Sequence, residues 1–275
     1  MSSLFAATRE TLNQGLAAVS ILGFISLLLS STSSAQSQSE EWTQLFNGKD
    51  LDNWVIKFTG EELGENYRNT FGVENGLLTV SYDQWPDFNN EFGHMFYQQE
   101  FSHYILRVEY RFIGQQVNGG PGWAYRNNGM MLHSQAPESM TLAQEFPVSI
   151  EAQMLGGNGS DPRPTGNVCT PGTHMEMGGT LIKRHCTNSD SATLHGDQWV
   201  TMEMIVKGSE SITQIVNGVT VMEYNNIQLD EEDKDAQALL ANGAAIELNK
   251  GYISIQAESH PIQFRKIEVK ELSEG

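Results

Sequence analysis

Strict two-residue alternation constrains this chain more than any other feature. In "HYILRVEYRF" (103–112), Tyr104, Leu106, Val108, Tyr110 and Phe112 fall on one face, and His103, Arg107, Glu109 and Arg111 fall largely on the other. Successive strand side chains point to opposite faces, so the segment reads as a half-buried strand. "QWVTMEMIVKG" (198–208) does the same, with Val200, Met202, Met204 and Val206 inward. "SITQIVNGVTVMEY" (211–224) turns back at Asn217-Gly218, and "FGVENGLLTV" (71–80) repeats the device at Asn75-Gly76. A type I′ hairpin turn needs φ > 0 at both central residues, which Asn-Gly supplies. "GYISIQAES" (251–259) and "PIQFRKIEVKEL" (261–272) read as the last two strands. Only "LDEEDKDAQALLANG" (229–243) looks helical, with acidic residues at its start and Gly243 at its end. The pattern predicts an all-β, two-sheet antiparallel β-sandwich with one short helix.

The first residues stand apart. "LAAVSILGFISLLLS" (16–30) has the length of a signal h-region with some excess, and small residues follow at Ser33-Ser34-Ala35. Residues 1–35 are expected to be a signal peptide, 36–41 a short linker, and 42–273 a single domain. An uncleaved anchor is the alternative, but a span needs roughly 18–20 strongly apolar residues. No later segment could span a membrane, so the mature chain is expected to be periplasmic or secreted, with no membrane span after signal cleavage.

Charge and cysteines narrow the partners. The formal net charge is −18 over 275 residues, which repels nucleic acid and anionic membranes and leaves neutral sugars or metal ions. The two cysteines, Cys169 and Cys186, are expected to pair as a disulfide in an exported protein. A metal–thiolate pair is the rival, but His174 and His185 nearby do not complete a compact zinc motif. The bridge falls in a loop rich in Gly, Pro, Thr and Asn at about 156–197, and loops of that length are usually functional.

A family resemblance rests on several stretches in a fixed order: "WTQLFNGKDLDNW" (42–54), "YILRVEYRF", "NNGMMLHS" (127–134), "VSIEAQML" (148–155), "GDQWVTMEMIV" (196–206) and "GYISIQAESHPIQFRKIEV" (251–269). Together they resemble the 3-keto-disaccharide hydrolase domain family, over residues 42 to 272. The resemblance implies a jelly-roll sandwich similar to concanavalin-A-like lectins and glucanases, and activity on glycosides oxidised at C3. The sequence departs from the family pattern at two places. Gln256-Ala257-Glu258-Ser259 stands where Gln-Ser-Glu-Gly is common, and Asn127-Asn128-Gly129-Met130 leads to His133 where an Arg is common.

A C3 ketone acidifies the C2 proton, so cleavage needs a base near C2, a group for the enolate oxygen and an acid for the leaving oxygen. A divalent metal ion is a possible enolate stabiliser; no cofactor is otherwise implied. Alternation proposes the carriers. Glu151 and Gln153 share the polar face of "FPVSIEAQML" (146–155), Gln256 and Glu258 share a face of "GYISIQAES", and Met131, His133 and Gln135 share a face of "GMMLHSQ". Glu151, Glu258 and His133 are the catalytic candidates, with Gln153 and Gln256 holding hydroxyls. Trp123 is a stacking platform for a sugar, and Lys183 a cation for an enolate. Glu258 could instead pair with Arg265 or Lys266. The expected function is an exported hydrolase of 3-keto-glycosides with a carbohydrate substrate. The alternatives are a non-catalytic carbohydrate-binding module and an oxocarbenium-path glucanase; the glucanase motif Glu-x-Asp-x-x-Glu is missing.

Overall fold

The alternating segments become two antiparallel sheets. The structure, a computed structural model, describes residues 41–273; the expected signal peptide lies outside the described residues. The larger sheet runs, in order, through Thr180–Ile182, Thr173–Met177, Val219–Leu229, Ser211–Val216, Val200–Lys207, His103–Phe112, Ile262–Glu271, Leu77–Val80 and Phe71–Glu74, with Thr43–Gln44 also paired to Ile262–Glu271. The smaller sheet has seven strands: Cys186–Thr187, Asn167–Cys169, Ile150–Leu155, Asn127–Ser134, Gly251–Ala257, Gly93–Phe101 and Trp54–Phe58. Its residues interleave along the chain with those of the larger sheet, as in a jelly roll.

The core lies between the sheets. Tyr104, Leu106, Val108 and Tyr110 meet Ile150, Ala152, Met154, Ile253, Ile255 and Ala257, all essentially inaccessible. Each large side chain so placed contributes about 1.5–3 kcal/mol relative to exposure. Both Asn-Gly pairs have positive φ, 52° and 79° at 75–76 and 48° and 81° at 217–218, as the hairpin reading required. The helix is Lys234–Ala241, shorter than the stretch 229–243, because Asp233 acts as its N-cap and accepts the N–H groups of Asp235 and Ala236. It packs Ala236 against Val148 and Leu229. No helix among the described residues is long and apolar enough to cross a membrane.

The 156–197 region is not a structureless loop. It supplies four short strands, which extend one edge of each sheet. Strands of two to five residues between Gly turns are too short to show a period. Cys169 and Cys186 sit directly opposite each other in one pair of these strands and form a disulfide.

Candidate functional site

Glu151 and Gln153 stand on the face of Ile150–Leu155 that points away from the core, since Ile150, Ala152 and Met154 take the inner face. Gln256 likewise opposes Ile255 and Ala257, and Glu258 follows just past the end of the strand. Only Asn127–Ser134 separates the two strands, so the four side chains share the outer face of one sheet. Gly129 lies between them: it pairs with Gln153, and a Cβ there would come 2.3 Å from Glu151 Oε1 and 2.5 Å from its Cγ. The missing side chain is the space through which Glu151 reaches across the sheet.

A cavity of about 400 Å³ covers this face, and Glu151, Gln153 and Glu258 line it. Both carboxylates are buried, 5% and 3% exposed, and Glu151 Oε1 and Glu258 Oε2 have no hydrogen-bond partner. Burial pushes the Glu258 carboxyl up to about 8. Burial, and then the charge of Glu258, push Glu151 well above the usual carboxylate range. Two buried acids raised in this way, one of them further by the other's charge, hold their protons at neutral pH.

The floor continues beyond the cavity. Gln256 is wholly buried with neither amide atom paired, and it sits opposite His94, whose two ring nitrogens are also unpartnered. Burial lowers the His94 imidazole to about 3, so it is neutral. Phe146 packs edge-on against His94 at 5.7 Å and lines the cavity. Buried polar groups are normally satisfied, and unpaired ones ask for a partner from outside. A polyhydroxylated ligand is such a partner.

Ser259 follows Glu258 with a φ of 91°, a left-handed value that glycine adopts far more readily than serine. Its N–H donates to Tyr82 Oη at 2.7 Å, its carbonyl accepts from Val117, and its hydroxyl meets Gln116 Nε2. These bonds hold the serine in that conformation.

Trp123 lies on a short 3₁₀ turn, Gly122–Ala124, and lines the cavity. It is 54% exposed and stacks on Phe92 at 5.8 Å, which leaves ring surface for a sugar. Trp85, by contrast, is a core residue. Gln153 accepts from Asn167 Nδ2 at 2.9 Å.

Two expected site residues are elsewhere. His133 does not share a face with the carboxylates: its φ is 47°, at a bulge where Met131 pairs with Ser254 but Ser134 pairs with Tyr252. Its Nε2 lies 3.0 Å from the carbonyl of Gly208 on the opposite sheet, so it is the donor there, and burial lowers its imidazole to about 4. It is a structural histidine. Lys183 lines a neighbouring cavity and contacts Glu232 at 3.6 Å, both exposed. The cation that lines the carboxylates' cavity is instead Arg163, with Nη2 3.4 Å from the carbonyl oxygen of Trp123. Glu258 makes no pair with Arg265 or Lys266, which both hold Glu109.

The metal–thiolate alternative for the cysteines does not hold. Among the described residues, one cluster has three ligand atoms within 4.8 Å of one another: Cys169, His185 and Cys186. Its two sulfurs are bonded to each other, so no thiolate is on offer.

No curated protein matches the chain. Among solved structures, a protein of Parabacteroides distasonis ATCC 8503, provisionally described as a glycosyl hydrolase, is 16% identical with a TM-score of 0.50, covering 84% of this chain and all of the other. A β-glucanase of Bacillus licheniformis is 11% identical with a TM-score of 0.46, covering 86% of this chain and all of that one. The family model of the 3-keto-alpha-glucoside-1,2-lyase-like domain matches residues 41–270, both carboxylates included, and the chain belongs to that family.

Proposed function

We propose that the protein cleaves the glycosidic bond of 3-keto-glycosides by elimination and hydration, in an extracytoplasmic compartment. The observation that carries this is the pair of buried carboxyls with raised values, Glu151 and Glu258, in a cavity with an exposed tryptophan. Family membership and the disulfide support the reaction class and the compartment respectively.

Glu151 is assigned the acid, because the charge of Glu258 helps to keep it protonated, and Glu258, in the fraction of molecules that has lost its proton, is assigned the base. Glu258 takes the proton from C2, and the electron pair moves toward C3 to form an enolate. The Arg163 guanidinium and the unpaired Gln256 amide are the donors for that oxygen. As the enolate collapses, the C1–oxygen bond breaks and Glu151 protonates the leaving oxygen. Water then adds its hydroxyl to C1, a proton returns to C2, and the net result is hydrolysis. A base near 8 suits such a step, because the ideal base has a pKa close to the working pH.

The test is turnover of a 3-keto-glycoside beside the unoxidised glycoside, run in D₂O. Cleavage of the keto substrate alone, with deuterium at C2 of the product, is expected. Equal cleavage of both, or loss of the C1 substituent without exchange at C2, overturns the mechanism. Sugar binding with no turnover of either substrate supports a carbohydrate-binding module instead.

A further inference from the structure

One wall of the carboxylate cavity is covalent. Cys169 and Cys186 line it as a disulfide, together with His185, which precedes Cys186. The row across the sheet accounts for the placement. Glu151 pairs in register with Cys169, and Cys169 with Cys186. Residues directly opposite in an antiparallel pair share a face, so the disulfide follows Glu151 along the outer face of the smaller sheet.

The same bond closes the neck of an excursion. From Cys169 the chain crosses to the larger sheet, forms Thr173–Met177 and Thr180–Ile182, and returns at Cys186. The strand that receives it, Cys186–Thr187, has two residues and lies at the edge of its sheet. His185 is otherwise tied by its carbonyl, which accepts the Thr170 N–H at 2.8 Å and the Thr170 hydroxyl at 3.2 Å. Each such bond contributes little net, so the covalent link does most to fix the neck.

His94, His133, His174 and His260 are buried, whereas His185 keeps exposed surface, with a ring nitrogen within 4.8 Å of both sulfurs. Packing around the ring lowers its imidazole, and the Thr170 backbone opposes this without overcoming it. The ring is therefore neutral at pH 7, with one nitrogen to donate and one to accept. Its neighbours are engaged elsewhere: Lys183 contacts Glu232, and Arg184 Nε donates to the Thr187 hydroxyl at 2.8 Å.

We propose that His185 hydrogen-bonds a hydroxyl of the bound sugar on the Glu151 side of the cavity, and that the Cys169–Cys186 disulfide positions it, so that sugar binding depends on the oxidised bond. The inference rests on the preceding reading, in that a keto sugar occupies this cavity. A dithiol reductant delivers two electrons and two protons: the S–S bond breaks, two thiols form, and the dithiol closes to its own disulfide. Cys186 is exposed, so the reductant has access.

The experiment measures KM and kcat on methyl 3-keto-glucoside for the oxidised wild type and for the wild type reduced with dithiothreitol, its two thiols counted by titration. The variants are His185→Ala, His185→Gln, the pair Cys169→Ser with Cys186→Ser, and that pair combined with His185→Ala. Circular dichroism restricts the comparison to folded protein. His185→Ala, reduction and the serine pair should each raise KM about tenfold, as for one lost hydrogen bond, with kcat within about threefold. His185→Gln, whose amide also donates and accepts, should stay within about threefold of the wild-type KM. The triple variant should be no worse than the serine pair, because both changes remove the same contact. Unchanged KM in His185→Ala or on reduction, or a loss of about a hundredfold in the triple variant, overturns the proposal. Should the serine pair not fold, equal KM values in His185→Ala and His185→Gln overturn it alone. Calorimetric binding of the same sugar separates this contact from the reaction. The same tenfold pattern in Kd without turnover keeps the contact and removes the mechanism. Turnover indifferent to His185 does the reverse, and no binding at all removes both.

Discussion

The outer faces of the two sheets use the same acid in opposite ways. On the larger sheet, Arg107 bonds both Glu203 and Glu268, at 2.9 and 2.8 Å, and its guanidinium lies over Trp42 at 3.9 Å. Glu109 is held by Arg265 and Lys266. Burial alone raises the Glu109 carboxyl, but the bond from Arg265 and the two cations override it, and the net shift is downward. On the smaller sheet, burial raises Glu258 to about 8 and nothing opposes it. A carboxylate that keeps its charge in the fold is structural; one that keeps its proton near neutrality can give it away or take it back. The difference lies in the neighbours, not in the residue.

Neutralising the unpaired acids tests this contrast most strongly. Glu151→Gln and Glu258→Gln should each lower kcat on a 3-keto-glycoside by about 10²–10⁴-fold, the usual weight of a general acid or base, while thermal stability at pH 8 rises because a buried charge is gone. Activity retained within tenfold in both variants would remove the two from catalysis. Gly129→Ala comes next. Its Cβ meets Glu151, so Glu151 must move, and we expect about a hundredfold loss of kcat with about 1–3 kcal/mol of destabilisation. A fully active Gly129→Ala protein would mean that Glu151 works from another position.

Stability should also depend on pH in a way that separates the groups. His94, His133 and His260 have folded-state values lowered to about 3, 4 and 4, chiefly by burial. The unfolded chain therefore binds more protons below about 6.5, and stability falls as pH drops through that window. Glu258 is raised, so between about 4.5 and 8 the folded chain binds more protons and its contribution is lost as pH rises, and Glu151, also raised, acts in the same direction. Three histidines outweigh two carboxyls below 6.5, which puts the maximum near pH 6.5. Melting temperatures of the wild type and Glu258→Gln from pH 4 to 9 check this: the variant should lose much of the decline above 6.5. The smallest effect belongs to the paired face. Glu109→Gln should cost about 1 kcal/mol or less by denaturant titration and leave kcat unchanged; an activity loss there would erase the contrast.

The alternation of the long strands made the sandwich legible, and it put Glu151 with Gln153 and Gln256 with Glu258 on the same side of their strands. It could not say that one strand alone lies between those pairs, because pairing across 100 residues leaves no local trace. Alternation misled at His133, where a left-handed residue at a bulge turns the ring toward the other sheet. Arg163, Phe146 and His94 were missed. Two of them come from irregular segments without a period, and His94 sits at the start of a strand in "FNNEFGHMFYQQ", which shows no clean alternation. Arg163 lies in the Gly- and Pro-rich "GGNGSDPRP" (156–164), where turn residues hide any pattern.

Gly129 has a bearing on relatives of this chain. The backbone there is ordinary extended strand, so alanine or serine would suit its local conformation. Only the reach of Glu151 forbids it. A related sequence with a side chain at this position and a glutamate at the next strand's matching one would keep the architecture and lose the two-acid arrangement. One residue with no side chain thus offers a way to sort chains built for this chemistry from chains that have only inherited the scaffold.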